Sequence, residues 1–252
     1  MTTPFDAFGP GVIIVTRTDV ANSTPYNIGY SQEFSVDFAG NIKELYGQNQ
    51  LPIDAARGTV KVTGKIKSAV LSGFAWNTVF FGNSFSTGTI TWNQGEAHTV
   101  TAGVLSPAAL TNAATFEADL GVVYGAGATT PGTPLQKVAS APAVGQYTVT
   151  GAVYAFAAGE TNPVLISYTS TVAASGQTLT ISNNLLGTSP NFQLDYYTSR
   201  SGSAFVVRYY QAQAAKITIA AKLEDFMMPE FEVHMFANAA GNLGKLYFPE
   251  KS

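Results

Sequence analysis

Two acidic residues separated by a single alanine, Glu117 and Asp119, are the residues of this sequence whose spacing best suits catalysis. Residues two apart on a strand point to the same face, which is how a β-sandwich glycosidase would hold its pair of carboxylates. The third acid expected a few residues later is absent, because residues 121–123 read Gly-Val-Val. Tyr124 alone offers an aromatic platform beside the pair. Glycoside hydrolysis is therefore poorly supported.

Histidine chemistry has little to draw on, because His98 and His234 are the two histidines of the sequence. Each follows a glutamate by two residues, Glu96 and Glu232, and such a pair on one strand face has chelating geometry. A zinc site needs at least three protein ligands, and there is no cysteine to supply a thiolate. The sequence also has no Gly-x-Ser-x-Gly and no phosphate-binding loop. We predict a protein that is not an enzyme and has no catalytic residues, metal or cofactor.

The composition predicts a large core beneath a surface with few charges. Hydrophobic residues make up 46% of the 252 residues and charged residues 12%, about half of the ~25% usual in globular domains. Either neighbouring subunits cover such a surface, or Ser, Thr, Asn and Gln side chains solvate it. The formal net charge of -3 argues against a protein that grips DNA, which needs a concentrated basic surface.

Signals for export or membrane insertion are missing from the sequence. The start, MTTPFDAFGPGVIIV, lacks the basic segment and long apolar run of a signal peptide. No apolar run approaches the ~18 residues that cross a bilayer. We expect no membrane contact, and a location in the cytoplasm or in a particle assembled there.

Most of the sequence alternates apolar and polar residues with the period of two that predicts β-strands. Residues 12–20, 30–38 and 58–70 show this pattern, and it returns from residue 87 onward. Glycine and proline fall between these runs, at a spacing typical of sandwiches and barrels. We predict a mainly β, antiparallel sandwich or barrel that forms a single domain over residues 1–252. An N-terminal arm at 1–11 and a flexible loop at 125–134 complete it.

One segment departs from the strand pattern. In SGFAWNTVFFGNSF, Phe74, Thr78 and Phe81 fall on one side of a helix. Ser72 can cap its start and Gly82 can end it. The sequence therefore predicts one short helix over residues 72–81.

The stretch ELYGQNQLPIDAARGTVKVTGKIKSA, residues 44–69, changes character halfway. Its first part, through Gly58, is rich in turn residues and is typical of a surface loop. Its second part alternates, with Lys61, Lys65 and Lys67 on the polar side of a half-buried strand. These lysines could face nucleic acid, solvent or another subunit. Because the protein is acidic overall, we favour a contact with another subunit.

The longer segment NIKELYGQNQLPIDAARGTVKVTGKIKSAVLSGFAWNTVFFG, residues 41–82, resembles the major tail tube proteins of contractile-tailed bacteriophages. The similarity spans most of the chain and includes the later segments GQYTVTGAVYAFAAGETNPVLISYTST and EDFMMPEFEVHMFANAAGNLGKLYF. The residues of the first segment that match the family pattern are Leu45, Tyr46, Gly47, Pro52, Ala56, Gly58, Lys61, Gly64, Lys65, Lys67, Asn77, Phe80, Phe81 and Gly82.

This resemblance implies a structural virion protein with the tail tube barrel fold and a short helix packed outside it. Members of the family form hexameric rings that stack into a hollow tube, and genomic DNA passes through that tube into the bacterial host. The expected location is the virion tail, assembled in the host cytoplasm. The implied partners are further copies of the chain, the tail sheath protein, the baseplate and tail terminator proteins, the tape measure protein and DNA in transit.

Two sets of residues are candidates for these roles. Because basic side chains would bind phosphates and hold DNA back, we expect a neutral or acidic lumen lining and place Glu230, Glu232 and His234 there. We expect contacts between subunits from Leu45, Tyr46, Gln48, Pro52, Arg57, Lys61, Lys65 and Lys67.

Two other functions remain open. A terminator or baseplate ring protein of the same fold would share these features at a similar length. A non-enzymatic β-sandwich that binds carbohydrate would instead use exposed aromatic residues such as Trp92, Tyr196 and Tyr197.

Overall fold

The computed structural model describes residues 11–70, 72–200, 203–221, 223 and 226–249. The predicted arm at 1–11 lies outside these residues except for Gly11, which begins the first strand. The described chain is mainly β with one short helix, as the sequence predicts. In chain order its strands are β1 (Gly11–Arg17), β2 (Tyr26–Tyr46), β3 (Pro52–Ser68), β4 (Phe85–Thr101), β5 (Val104–Ser106), β6 (Phe116–Tyr124), β7 (Gln136–Lys137), β8 (Gln146–Thr150), β9 (Val153–Phe156), β10 (Val164–Leu179), β11 (Phe192–Arg200), β12 (Ser203–Thr218), β13 (Glu230–Met235) and β14 (Gly244–Tyr247).

The chain divides into two compact units, where the sequence predicts a single domain. Unit 1 consists of Met1–Ser84 and Leu179–Ser252, and unit 2 is the continuous segment Phe85–Thr178. Unit 2 is therefore an insertion in the sequence of unit 1. Each unit has its own cluster of buried apolar side chains.

Unit 1 is built on a ring of antiparallel strands. The order around the ring is β11, β1, β2, β3, β13 and β12, and β12 pairs with β11 to close it. Strand β14 adds to β12 at residues 206–209. Closing a sheet on itself pairs both edges of every ring strand over part of its length. The prediction of antiparallel sheets is confirmed.

Alternate residues of the ring strands form the core of unit 1. Ile13 and Val15 of β1 and Val233 of β13 are fully buried, and their neighbours along each strand are more exposed. This alternation follows from the two-residue period of a strand with one buried face. Each fully buried side chain of this size contributes about 1.5–3 kcal/mol of transfer free energy. The same core includes Val62, Ile66, Phe192, Leu194, Val207, Tyr209, Ala212 and Phe231.

The predicted helix at residues 72–81 is confirmed. Helix α1 (Gly73–Trp76) continues directly into one π-helical turn (Asn77–Phe81). The Ser72 hydroxyl accepts a hydrogen bond from the amide of Ala75 at 3.3 Å, as an N-cap should. Gly82 ends the helix with φ at 68°, a left-handed conformation that glycine adopts without strain.

The helical side that Phe74 and Thr78 would share is only partly buried. Ala75 and Val79 pack into the core of unit 1, whereas Phe74 is exposed. Thr78 is buried. The π turn, with one extra residue per hydrogen-bonded ring, rotates the side chains from Asn77 onward away from the regular helical period.

The hairpin of β2 and β3 corrects the interpretation of residues 44–58. A surface loop is expected there, but β2 continues to Tyr46 and β3 begins at Pro52, so that the turn spans only residues 47–51. Strand pairing continues from Gly40 opposite Val60 out to Tyr46 opposite Pro52. A proline is tolerated because it is the first residue of its strand. We call residues 39–60 of this hairpin the ribbon.

Unit 2 combines two small sheets around its own core. One sheet has the order β5, β4, β10 and β6, and the other has the order β7, β8 and β9, in which β7 and β8 pair in parallel. The loop predicted at residues 125–134 folds back on β6, because Gly132 donates its amide to Tyr124 O at 2.8 Å. Leu135 likewise donates to Val122 O at 2.9 Å. The flexibility of this loop stays a prediction.

Candidate assembly surfaces

The ribbon presents an unusual amount of apolar surface to solvent. Every residue from 39 to 60 is exposed, on both faces of the two strands. A two-stranded hairpin without further support is at best marginally stable in water. The exposed apolar side chains that it carries are Ile42, Leu45, Tyr46, Leu51, Ile53 and Val60. Such a surface is typical of a segment that another protein surface covers.

The backbone edges of the ribbon are also open. Pairing of β2 with β1 ends at Ser31, and pairing of β3 with β13 ends at Val62. Beyond these points, among the described residues, each ribbon strand pairs only with the other. Unpaired strand edges accept a further strand from another chain, so both the side chains and the backbone of the ribbon suit an interface.

Most of the residues predicted to make contacts between subunits lie in the ribbon. Gln48 is in its turn, and Lys61 is exposed one residue past its end. Lys65 and Lys67 lie farther along β3, in the ring of unit 1. The structure therefore separates these two lysines from the other candidates. The candidates within the strands of the ribbon are Leu45, Tyr46, Pro52 and Arg57.

Lys65 and Lys67 instead belong to a second surface, which we call the charged face. It lies on the outer side of β2, β3, β13 and β12, opposite the core of unit 1, and consists of Glu33, Lys65, Lys67, Glu230, Glu232 and Lys216. Lys67 lies between Glu33 of β2 and Glu230 of β13 in the strand register. Lys65 lies between Ser35 of β2 and Glu232 of β13.

The residues predicted for a lumen lining are on this same face. Glu230, Glu232 and His234 are directly opposite Lys67, Lys65 and Thr63. The sequence assigns the lysines and the acids to different surfaces, but register places both sets side by side, because opposite residues of an antiparallel pair share a face. A cavity of about 170 Å³ is lined by Glu33, Lys65, Lys67 and Glu230.

The carboxylates of Glu117 and Asp119 both accept hydrogen bonds from other residues of unit 2. Asp119 accepts from Lys137 Nζ at 3.0 Å and from the hydroxyls of Tyr147 and Tyr154 at 2.9 and 2.8 Å. Burial alone would raise the pKa of Asp119, but these donors outweigh it and lower the pKa. Glu117 accepts from the hydroxyl of Thr169. A carboxylate saturated with donors is a poor general base, so this arrangement favours a structural role.

The pair of Glu96 and His98 is similarly engaged. His98 is buried, with Nε2 3.1 Å from Glu96 Oε1 and Nδ1 3.0 Å from Pro107 O. Glu96 also accepts from Thr111 and, at 2.6 Å, from the hydroxyl of Tyr168. Both histidine nitrogens thus face protein oxygens. Within the described ranges, no group of three or more acidic or histidine side chains is placed to hold a metal ion.

One buried acid of unit 2 has no signal in the sequence. Glu160 is fully buried and accepts hydrogen bonds from Tyr124, the amide of Gly145, and both the amide and side chain of Asn162, at 2.8–3.1 Å. Two of these donors lie 36 and 15 residues away in the sequence, so no local pattern could reveal the site. Burial alone would raise the pKa of Glu160, but the hydrogen bonds from Tyr124, Gly145 and Asn162 outweigh it and lower the pKa.

The aromatic residues considered for carbohydrate binding do not form one platform within either unit. Trp92 is exposed in unit 2. Tyr196 and Tyr197 belong to unit 1, and neighbours in a strand point to opposite faces. Tyr196 stacks on Phe34 with ring centroids 4.4 Å apart, so its own face is already covered.

None of the helices in the described part of the chain has the length and apolar character to span a membrane.

Comparison with known proteins identifies no relative of this chain. No family model matches the chain, and no curated protein matches its sequence.

Proposed function

We propose that this chain is a structural subunit that assembles with copies of itself into stacked rings, forming the tail tube of a contractile-tailed bacteriophage. The observation that carries the proposal is the ribbon, whose apolar side chains and open strand edges suit a neighbouring subunit. A second copy is the occupant we favour, because a ring-forming protein must present such a surface once per subunit. The low charge of the chain agrees with extensive burial between copies.

The further parts of the proposal derive from the sequence resemblance. In the assembled tail, the tube has DNA passing through its lumen and a sheath around its outside. Terminator and baseplate proteins close its two ends, and the tape measure protein occupies the lumen before DNA does. None of these roles requires catalysis, in keeping with the acids of unit 2 being engaged in internal hydrogen bonds.

Electron microscopy and sedimentation of the purified protein test the proposal. The intact chain should form rings or tubes. Replacing Ile42 and Ile53, which are 62% and 68% exposed, by aspartate should weaken assembly without unfolding the chain. Burial of one isoleucine is worth about 1.5–3 kcal/mol, so the double variant should need at least about a tenfold higher concentration to assemble.

A matched control comes from unit 2. Val144 and Val153 are 60% and 70% exposed, so Val144→Asp with Val153→Asp introduces the same charges at equally exposed apolar positions. This control should assemble like the intact chain. A strictly monomeric protein at high concentration, or equal assembly of both variants, would contradict the proposal. Single rings that never stack would favour a terminator or baseplate ring protein of the same fold.

A further inference from the structure

One buried histidine of unit 2 lies between two hydrogen-bond acceptors. The side chain of His98, on β4, is 0% exposed. Its Nδ1 lies 3.0 Å from the carbonyl oxygen of Pro107, and its Nε2 lies 3.1 Å from Oε1 of Glu96. A backbone carbonyl and an ionised carboxylate can only accept hydrogen bonds. Each ring nitrogen of His98 therefore needs a proton that it can donate.

Glu96 is held as a carboxylate by its other partners. Its Oε1 accepts hydrogen bonds from the amide and the hydroxyl of Thr111 at 2.8 and 3.0 Å, and its Oε2 accepts from the hydroxyl of Tyr168 at 2.6 Å. Burial alone would raise the pKa of Glu96, but the hydrogen bonds from Tyr168, Thr111 and His98 outweigh it and lower the pKa. A neutral imidazole has only one N–H, so either tautomer would turn a lone pair toward one of the two oxygens and leave that oxygen without a donor.

The elements packed around the pair supply few other titratable groups. Tyr168 of β10 donates to Glu96. Tyr168 also interacts with Tyr154, which donates its hydroxyl to Asp119. Strand β5, which pairs with β4, and residues 107–112 contain no ionisable side chain. Glu96 is therefore the carboxylate that balances a positive charge on the imidazole ring.

We propose that His98 is an imidazolium in the folded protein, and that its second proton holds residues 107–112 against β4. Nδ1–H donates to Pro107 at one end of this segment. Nε2–H orients Glu96, which binds Thr111 near the other end. Loss of the proton leaves one of these two contacts without a donor, so the segment should open as the pH rises. This pH-sensitive switch lies within unit 2 and does not depend on the proposed function.

The direction of the pH dependence follows from where the proton is held. A histidine in water loses its proton at about pH 6.5. Opening of residues 107–112 exposes the ring of His98 to water, and above this pH the ring then releases the proton. The closed form is thus favoured at lower pH and weakened at higher pH. One proton released on opening raises the opening equilibrium constant by up to about tenfold per pH unit.

Hydrogen exchange of the full chain, followed by mass spectrometry, tests the switch. The informative peptides contain Thr111 and Asn112, whose amides donate to Glu96 and to the hydroxyl oxygen of Tyr168. Protection of these peptides, corrected for the intrinsic exchange rate at each pH, should fall by at least about tenfold between about pH 6 and pH 8.

The two histidines of the sequence provide the variant and its matched control. His98→Gln cannot titrate, so its protection in residues 107–112 should not change between these two pH values. His234→Gln makes the same substitution in unit 1 and should show the pH dependence of the intact chain.

Nitrogen-15 NMR of the imidazole ring in His234→Gln, where His98 is the one histidine, reads the protonation state directly. At about pH 7.5 a free histidine is about nine-tenths neutral, whereas both nitrogens of His98 should carry a proton. A single protonated nitrogen would overturn the inference. So would equal protection of residues 107–112 at both pH values, or a pH dependence that persists in His98→Gln. Should His98→Gln fail to fold, the NMR measurement still decides, because it needs no change at His98.

Discussion

Glu160 accepts a hydrogen bond of 2.8 Å from the hydroxyl of Tyr124 in the interior of unit 2, although 36 residues separate the two in the sequence. The carboxylate is fully buried and satisfies two backbone amides and the Asn162 side chain as well. Asp119 and Glu96 are bonded to tyrosine hydroxyls in the same way. Three acids thus link separate segments of one small unit.

Removing the Glu160 carboxylate should destabilise unit 2. Glu160→Gln replaces one carboxylate oxygen, which accepts hydrogen bonds, by an NH2 group, which donates them. We expect the free energy of unfolding to fall by about 2–4 kcal/mol, because buried donors are left without an acceptor. Tyr124→Phe removes one donor and should cost only about 1–2 kcal/mol.

Urea unfolding in a Trp76→Phe background measures this loss. That substitution leaves Trp92, which lies in unit 2, as the one fluorescent tryptophan, and it also removes a buried indole N–H that has no partner among the described residues. Equal stability of Glu160→Gln and the parent would show that the carboxylate contributes nothing.

Unit 2 should lose stability in acid. The pKa values of Glu96, Asp119 and Glu160 are lowered, because hydrogen bonds to the carboxylates outweigh the opposing effect of burial. A folded pKa below the unfolded value means that protons bind the unfolded state more readily. The stabilisation is therefore complete above about pH 5 and is lost as the pH falls through the folded pKa values.

The Trp92 signal, followed in urea at several pH values between about 7 and 3, tests this dependence. Asp119→Asn serves as the matched variant, since it removes one of the three titrating groups and should flatten the pH dependence. An unfolding midpoint that is the same at neutral and acid pH would contradict the expected linkage.

Any side chain at Gly64 of β3 should lower the stability of unit 1. A Cβ at this position would lie 2.6 Å from Met235 Cε and 3.1 Å from Val233 Cγ2, inside the core of unit 1. Gly64→Ala should therefore destabilise unit 1 by about 1–2 kcal/mol, since the methionine can move but the valine is held by the ring.

Gly47, in the turn of the ribbon, provides the comparison. A Cβ there meets nothing closer than 3.7 Å, so Gly47→Ala should be nearly neutral. Thermal unfolding of both variants decides between them. A Gly64→Ala protein as stable as Gly47→Ala would mean that the core rearranges freely around the added methyl group.

The sequence alone determined the class of fold and several of its local features. Period-two alternation indicated long strands in both units, and the helix between Ser72 and Gly82 was evident from its cap and its terminating glycine. These features depend on neighbours in the chain, namely side-chain alternation, a hydroxyl that caps an amide, and a residue that adopts positive φ. Because these features depend only on nearby residues, they can be predicted from the sequence.

Other features were decided only by the tertiary structure. The strand register set Lys65 beside Glu232, and chain folding brought Tyr124 to Glu160. Residues 44–58 have the composition of a loop, yet they form a ribbon because pairing already established in the ring continues outward along both strands. The division into two units likewise depends on which strands share a core. Each of these outcomes is set by contacts between distant segments, which local periodicity does not encode.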